Sequence, residues 1–168
     1  KTIVLDTNTF VEGYSNSEQF SNLLNELSEA DCSLTTIEAV RIEFLSKNRS
    51  REELLKKAKF YEVTLTCPEL PTRTFESQFK DYSLLYAFGV QQDGSFKAID
   101  FMITAAMKKY AANLLLLTND HNDFTCRLFD LVKLFPLIPT KGAIIPFGVY
   151  SFSENKYAKL INPHNPAR

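Results

Sequence analysis

Acidic side chains fall where a packed α/β chain has least use for charge. Asp6 directly follows the apolar run Ile3-Val4-Leu5, and Asp120, with Asp123 close behind, follows Leu114-Leu115-Leu116-Leu117. Both runs read as buried strands, and in an open parallel sheet ligands sit beyond the carboxyl ends of the strands. The ordinary alternative is that each Asp merely caps the next helix or turn. Asp100 shares a helical face with Ile103, Thr104 and Met107. A buried carboxylate there is costly unless a cation meets it. Lys97 or Arg127 would serve, and so would a metal ion. Glu43 lies mid-helix with Lys47 four residues on, which suits a surface salt bridge as well as a site. Glu38, three residues after Thr35, fits a reciprocal helix cap and is given that role. Three or four carboxylates in one cleft repel each other and persist where hard divalent cations neutralise them. Such cations lower the pKa of an attacking water and stabilise charge growing on a phosphate, the chemistry of phosphodiester hydrolysis.

These acids need strands and helices in alternation to position them. Thr2–Leu5 is a first strand and Cys32–Thr35 a second. Ser15-Asn16-Ser17-Glu18, Thr35-Thr36-Ile37-Glu38 and Ser50-Arg51-Glu52-Glu53 read as capping boxes. The first opens a helix through Phe20, Leu23, Leu24 and Leu27, the second a helix to about Ser46, the third a helix to about Lys59. Val63–Thr66 is β-branched and reads as a strand. A helix is expected from about Thr74 to Phe88, ended by Gly89, with a polar loop at Gln91–Gly94. Ser95 then caps a helix to about Ala112. Leu114–Leu117 is the clearest buried strand, and Val132–Ile138 and Ala143–Phe152 read as further strands. The alternation predicts an α/β fold with a mostly parallel sheet covered on both faces. One domain over residues 1–160 and a C-terminal tail at 161–168 are expected.

Composition narrows the class. The chain has 168 residues, is 45% hydrophobic and 23% charged, and carries a net charge of −1. That excludes a disordered chain and a bulk polycation, so nucleic acid would have to meet a local basic patch. The densest basic run is Lys47, Arg49, Arg51, Lys56, Lys57 and Lys59, which reads first as a solvated helix face and second as a phosphate track. Cys32, Cys67 and Cys126 form no C-x-x-C pair, and with only His121 and His164 they make no zinc set. A reducing, cytoplasmic setting is expected, with no membrane span and no signal-peptide run at the start.

Four segments together resemble the PIN domain nucleases. Ile3-Val4-Leu5-Asp6-Thr7-Asn8 is similar to the family's first motif, and Leu34-Thr35-Thr36-Ile37-Glu38-Ala39-Val40-Arg41-Ile42-Glu43 to the second, which sets the family acid on Glu43. Ile99-Asp100-Phe101-Met102-Ile103-Thr104-Ala105-Ala106 is similar to the third, and Leu116-Leu117-Thr118-Asn119-Asp120-His121-Asn122-Asp123-Phe124 to the fourth. The resemblance covers residues 1 to about 135. It implies a PIN-like sheet sandwiched by helices, magnesium or manganese, and endonucleolytic cleavage of RNA. Asp6, Glu43, Asp100 and Asp120 would be catalytic, and Asp6, Asp100, Asp120 and Asp123 would hold the metal. Asn8 and Thr118 would support them through hydrogen bonds, and Lys47, Arg49 and Arg51 would bind substrate. His121 either meets a leaving group or is an ordinary turn residue. Small members of the family are often toxins of toxin–antitoxin pairs, so a cognate antitoxin and a homodimer are further expected partners. The competing reading is a catalytically idle PIN-like module that binds RNA or a protein. An aspartyl-phosphate enzyme is disfavoured, because Asn8 stands where a phosphatase needs an acid.

Overall fold

The computed structural model describes residues 1–78, 98–124 and 127–162. Thr2–Leu5 (β1) is the expected first strand, and its last three residues are buried. β2 (Ser33–Thr35) and β3 (Leu114–Thr118) flank it in parallel. Every residue of β3 is buried, as a strand covered on both faces requires. The sheet runs β2-β1-β3-β5-β4, where β4 is Phe129–Leu137 and β5 is Ile145–Phe152. β5 is antiparallel to both β3 and β4. The mostly parallel expectation is thus corrected to a mixed, partly parallel sheet. The seven residues between β4 and β5 allow a hairpin but are too few for a parallel crossover.

Six α-helices stand among the described residues: α1 (Thr7–Ser15), α2 (Ser17–Glu29), α3 (Glu38–Ser46), α4 (Arg51–Thr64), α5 (Ala98–Lys109) and α6 (Glu154–Ile161). α1 has no counterpart in the sequence reading. Thr7, Thr9, Val11 and Gly13 are poor helix formers, and the helix rests instead on its Asp6 cap and on packing. Asn16 separates α1 from α2, so the capping box expected at 15–18 does not form. Glu38 opens α3 as its first residue, because Ile37 and not Thr35 is the N-cap, so it is two positions short of closing a box with Thr35, and it pairs with Arg41 at 3.6 Å. The Ser50 cap is real: its hydroxyl accepts from the Glu53 N–H at 3.1 Å. α4 runs on to Thr64, so Val63–Thr64 is helix rather than strand. Thr72–Thr74 and Glu76–Gln78 are short 3-10 turns. The rest of the helix expected at 74–88, the loop at 91–94 and the Ser95 cap lie outside the described residues.

An aromatic core fixes the first four helices to one another. The Phe10 ring of α1 lies 5.4 Å from Phe44 of α3 and 4.8 Å from Tyr61 of α4, and Phe20 of α2 lies 6.0 Å from Phe60 of α4. Each fully buried Phe contributes about 1.5–3 kcal/mol. α5 packs on β3, β5 and α3. No described helix is long and apolar enough to cross a membrane.

Candidate active site

Strand register brings the first two acids together. Leu5 pairs with Leu117, so Asp6, just past β1, falls beside Thr118, the last residue of β3. The Thr118 hydroxyl donates to Asp6 Oδ2 and accepts from the Asp120 N–H at 2.9 Å. Asp6 Oδ1 accepts from the Thr9 N–H at 2.6 Å, the N-cap bond of α1. Asp6 is therefore a helix cap, as the ordinary alternative held. It is also 2% exposed, and burial, with a smaller contribution from the Asp120 charge, pushes its pKa up to about 6, against the hydrogen bonds from Thr118 and Thr9. Asp120 likewise caps its own turn, since Oδ1 accepts from the Asp123 N–H at 3.1 Å. Its other oxygen, Oδ2, accepts from the Asn8 amide at 3.2 Å.

Glu43 arrives from α3. The Thr36 hydroxyl donates to Leu5 O at 2.6 Å, which starts α3 beside the end of β1. Two turns into that helix, Glu43 accepts from the Thr7 hydroxyl at 2.5 Å. It turns to Thr7, not to Lys47. The cap residue and first two residues of α1 thus engage three acids: Asp6 itself, Glu43 through Thr7 and Asp120 through Asn8. The N-terminal end of a helix dipole favours such negative charge.

Asp100 sits in the first turn of α5 and is buried, on a helix that packs against both α3 and β3. Asp123 is buried behind Asp120. Of the two cations weighed for Asp100, Arg127 is exposed and Lys97 lies outside the described residues. Lys47, Arg49 and Arg51 are exposed at and beyond the end of α3, while Lys56 and Lys57 pair with Glu52 and Glu53 at 2.7 and 3.6 Å. Lys57 also donates to Lys47 O at 2.7 Å and lies 5.4 Å over the Phe44 ring, so it ties the α3–α4 link instead of facing a ligand. His121 spends both ring nitrogens, one on the Tyr150 hydroxyl and one on Pro146 O at 3.0 Å, so the leaving-group role does not fit it.

The donors are carboxylate oxygens, which suit magnesium or manganese rather than a soft metal. Asp6 is buried, and the charge of the half-buried Asp120 adds to the rise in its pKa, so the two are the kind of pair a cation relieves. Among the described residues no three His, Cys, Asp or Glu stand together as a set that could hold a metal ion. The donor type fits such a cation, then, with Asp6 and Asp120 as the coupled pair and Glu43 tied to Thr7. Thr7, Thr9 and Tyr150 were not singled out from sequence. Thr7 and Thr9 carried a weak signal, as hydroxyls beside a strand-end acid, while nothing near Tyr150 marked it.

A cleft of about 660 Å³ lies at the other end of β3, lined by Lys108, Tyr110, Asn113, Phe152 and Glu154 among others, and holds none of these acids. No family model, curated protein or solved structure matches the chain.

Proposed function

We propose that the chain is a magnesium- or manganese-dependent endoribonuclease of the PIN type. The observation that supports this most is the gathering of Asp6, Glu43 and Asp120 on the first turn of α1. Asp6 and Asp120 would hold the cation, with Glu43, Asp100 and Asp123 as the further acids that the family resemblance adds. When bound, the cation would supply an activated water and charge stabilisation at the phosphate. The chain's own groups do the positioning. Thr118 orients Asp6, Asn8 orients Asp120 and Thr7 orients Glu43. The exposed Lys47, Arg49 and Arg51 follow directly from the helix that carries Glu43, where they can track a phosphate backbone. A cognate antitoxin partner and a homodimer remain part of the proposal through the family resemblance.

The idle-module reading draws on one observation, the lack of an assembled three-acid set among the described residues. Cleavage of labelled RNA separates the two. Activity is expected with magnesium or manganese, none with a chelator, and products with 5′-phosphates, because water and not the ribose 2′-hydroxyl attacks. Glu43→Gln should lower the rate ~100-fold or more. Glu38→Gln should leave it nearly unchanged, since Glu38 only shares an exposed ion pair with Arg41. Chelator-resistant cleavage leaving 2′,3′-cyclic phosphates would contradict the mechanism, and no cleavage with intact RNA binding would favour the idle module.

A further inference from the structure

The segment from Asn119 to Phe124 carries Asp120 and Asp123, yet it is a turn rather than regular structure. Its inner side is held by Thr118 and by the buried Phe124. Its outer side is held by His121, which reaches across to β5. Pro146 O can only accept, so Nε2 donates to it, while Nδ1 meets the Tyr150 hydroxyl. Both ring nitrogens are thereby engaged. Tyr150 is itself buried, and burial raises its pKa, so its hydroxyl stays protonated. Its ring lies where a Cβ on Gly148 would be, 2.4 Å from Tyr150 Cε2, so a side chain at that position would displace it. Gly148 in turn pairs with Thr118 across the β3–β5 ladder. Glycine, tyrosine and histidine thus form one connected brace from the sheet to the acidic turn.

The geometry points to His121 and Tyr150 as positioning residues that hold the 119–124 turn, and with it the Asp120 carboxylate, against the candidate metal site. This rests on the reading of that site given above. The two residues act through Asp120 and touch no substrate.

Tyr150→Phe removes one oxygen and keeps the ring, so the fold should survive. Amide hydrogen exchange of the metal-free protein is the first readout. Exchange within residues 119–124 should rise about tenfold, as loss of one hydrogen bond implies, while β1 and β3 stay protected. Calorimetric titration with manganese alone is the second. Tyr150→Phe and His121→Ala should each weaken binding about tenfold or more, and the double variant should be no weaker than His121→Ala, because both act through one contact. Unchanged exchange in the turn overturns the brace whether or not the wild type binds manganese. Faster exchange with unchanged manganese affinity overturns the link to the site. A wild type that binds no manganese contradicts the functional reading, and the exchange result still decides the brace.

Discussion

Asp6 carries two duties at once. It caps α1 through one oxygen and meets Thr118 through the other, while being almost fully buried. A carboxylate in that position disfavours its own ionisation, and the pKa moves from 3.8 up to about 6. The folded state therefore holds the proton more tightly than the unfolded chain. That contribution to stability is fully present below the ordinary value and is lost as pH rises through the folded one. A shift of this size corresponds to about 3 kcal/mol at full separation. Asn can cap the helix as well as Asp and has no charge to bury. In metal-free buffer, the stability of Asp6→Asn relative to wild type should thus increase by about 2 kcal/mol between pH 4 and pH 7. Urea unfolding at the two pH values checks this. A difference that does not change with pH would mean that Asp6 is ionised at no cost.

At the scale of elements, α1 decides how the site is built, and it was the element least visible in the sequence. β1 and β3 were legible because a strand covered on both faces must be continuously apolar, and the acids at their ends were legible as interruptions of that pattern. α1 has no such pattern: Thr7, Thr9, Val11 and Gly13 spoil both helical propensity and apolar spacing. Tertiary contacts decide it instead. Glu43 was placed correctly on its helix, but its partner Thr7 comes from 36 residues earlier, and the Tyr150 that meets His121 is 29 residues later. Distances of that kind depend on strand register and helix packing, which no local motif encodes. Gly13 shows the packing at work. A Cβ there would lie 2.6 Å from the buried Phe20 ring of α2. Gly13→Ala should therefore destabilise by about 1–3 kcal/mol, against a helix-propensity gain of about 1 kcal/mol. Urea midpoints of the two proteins give the sign. A more stable variant would show that α1 and α2 are not held at this close approach.

Across the whole molecule, a mixed sheet supplies two parallel strand ends, and α3 brings Glu43 to the helix that begins at the first of them. The antiparallel β4–β5 hairpin sets β5 beside β3, and from β5 Tyr150 reaches the acidic turn. No two neighbouring positions in the sequence make this site, because Asp6, Glu43 and Asp120 come from three separate parts of the chain. The metal-binding role proposed for them is tested most directly by titrating manganese into the metal-free wild type and Asp120→Asn in a calorimeter. Saturable binding to the wild type, weakened about tenfold or more in Asp120→Asn, is the expected result. A flat wild-type titration, or equal binding by the two proteins, would contradict the assignment of these carboxylates to a metal site.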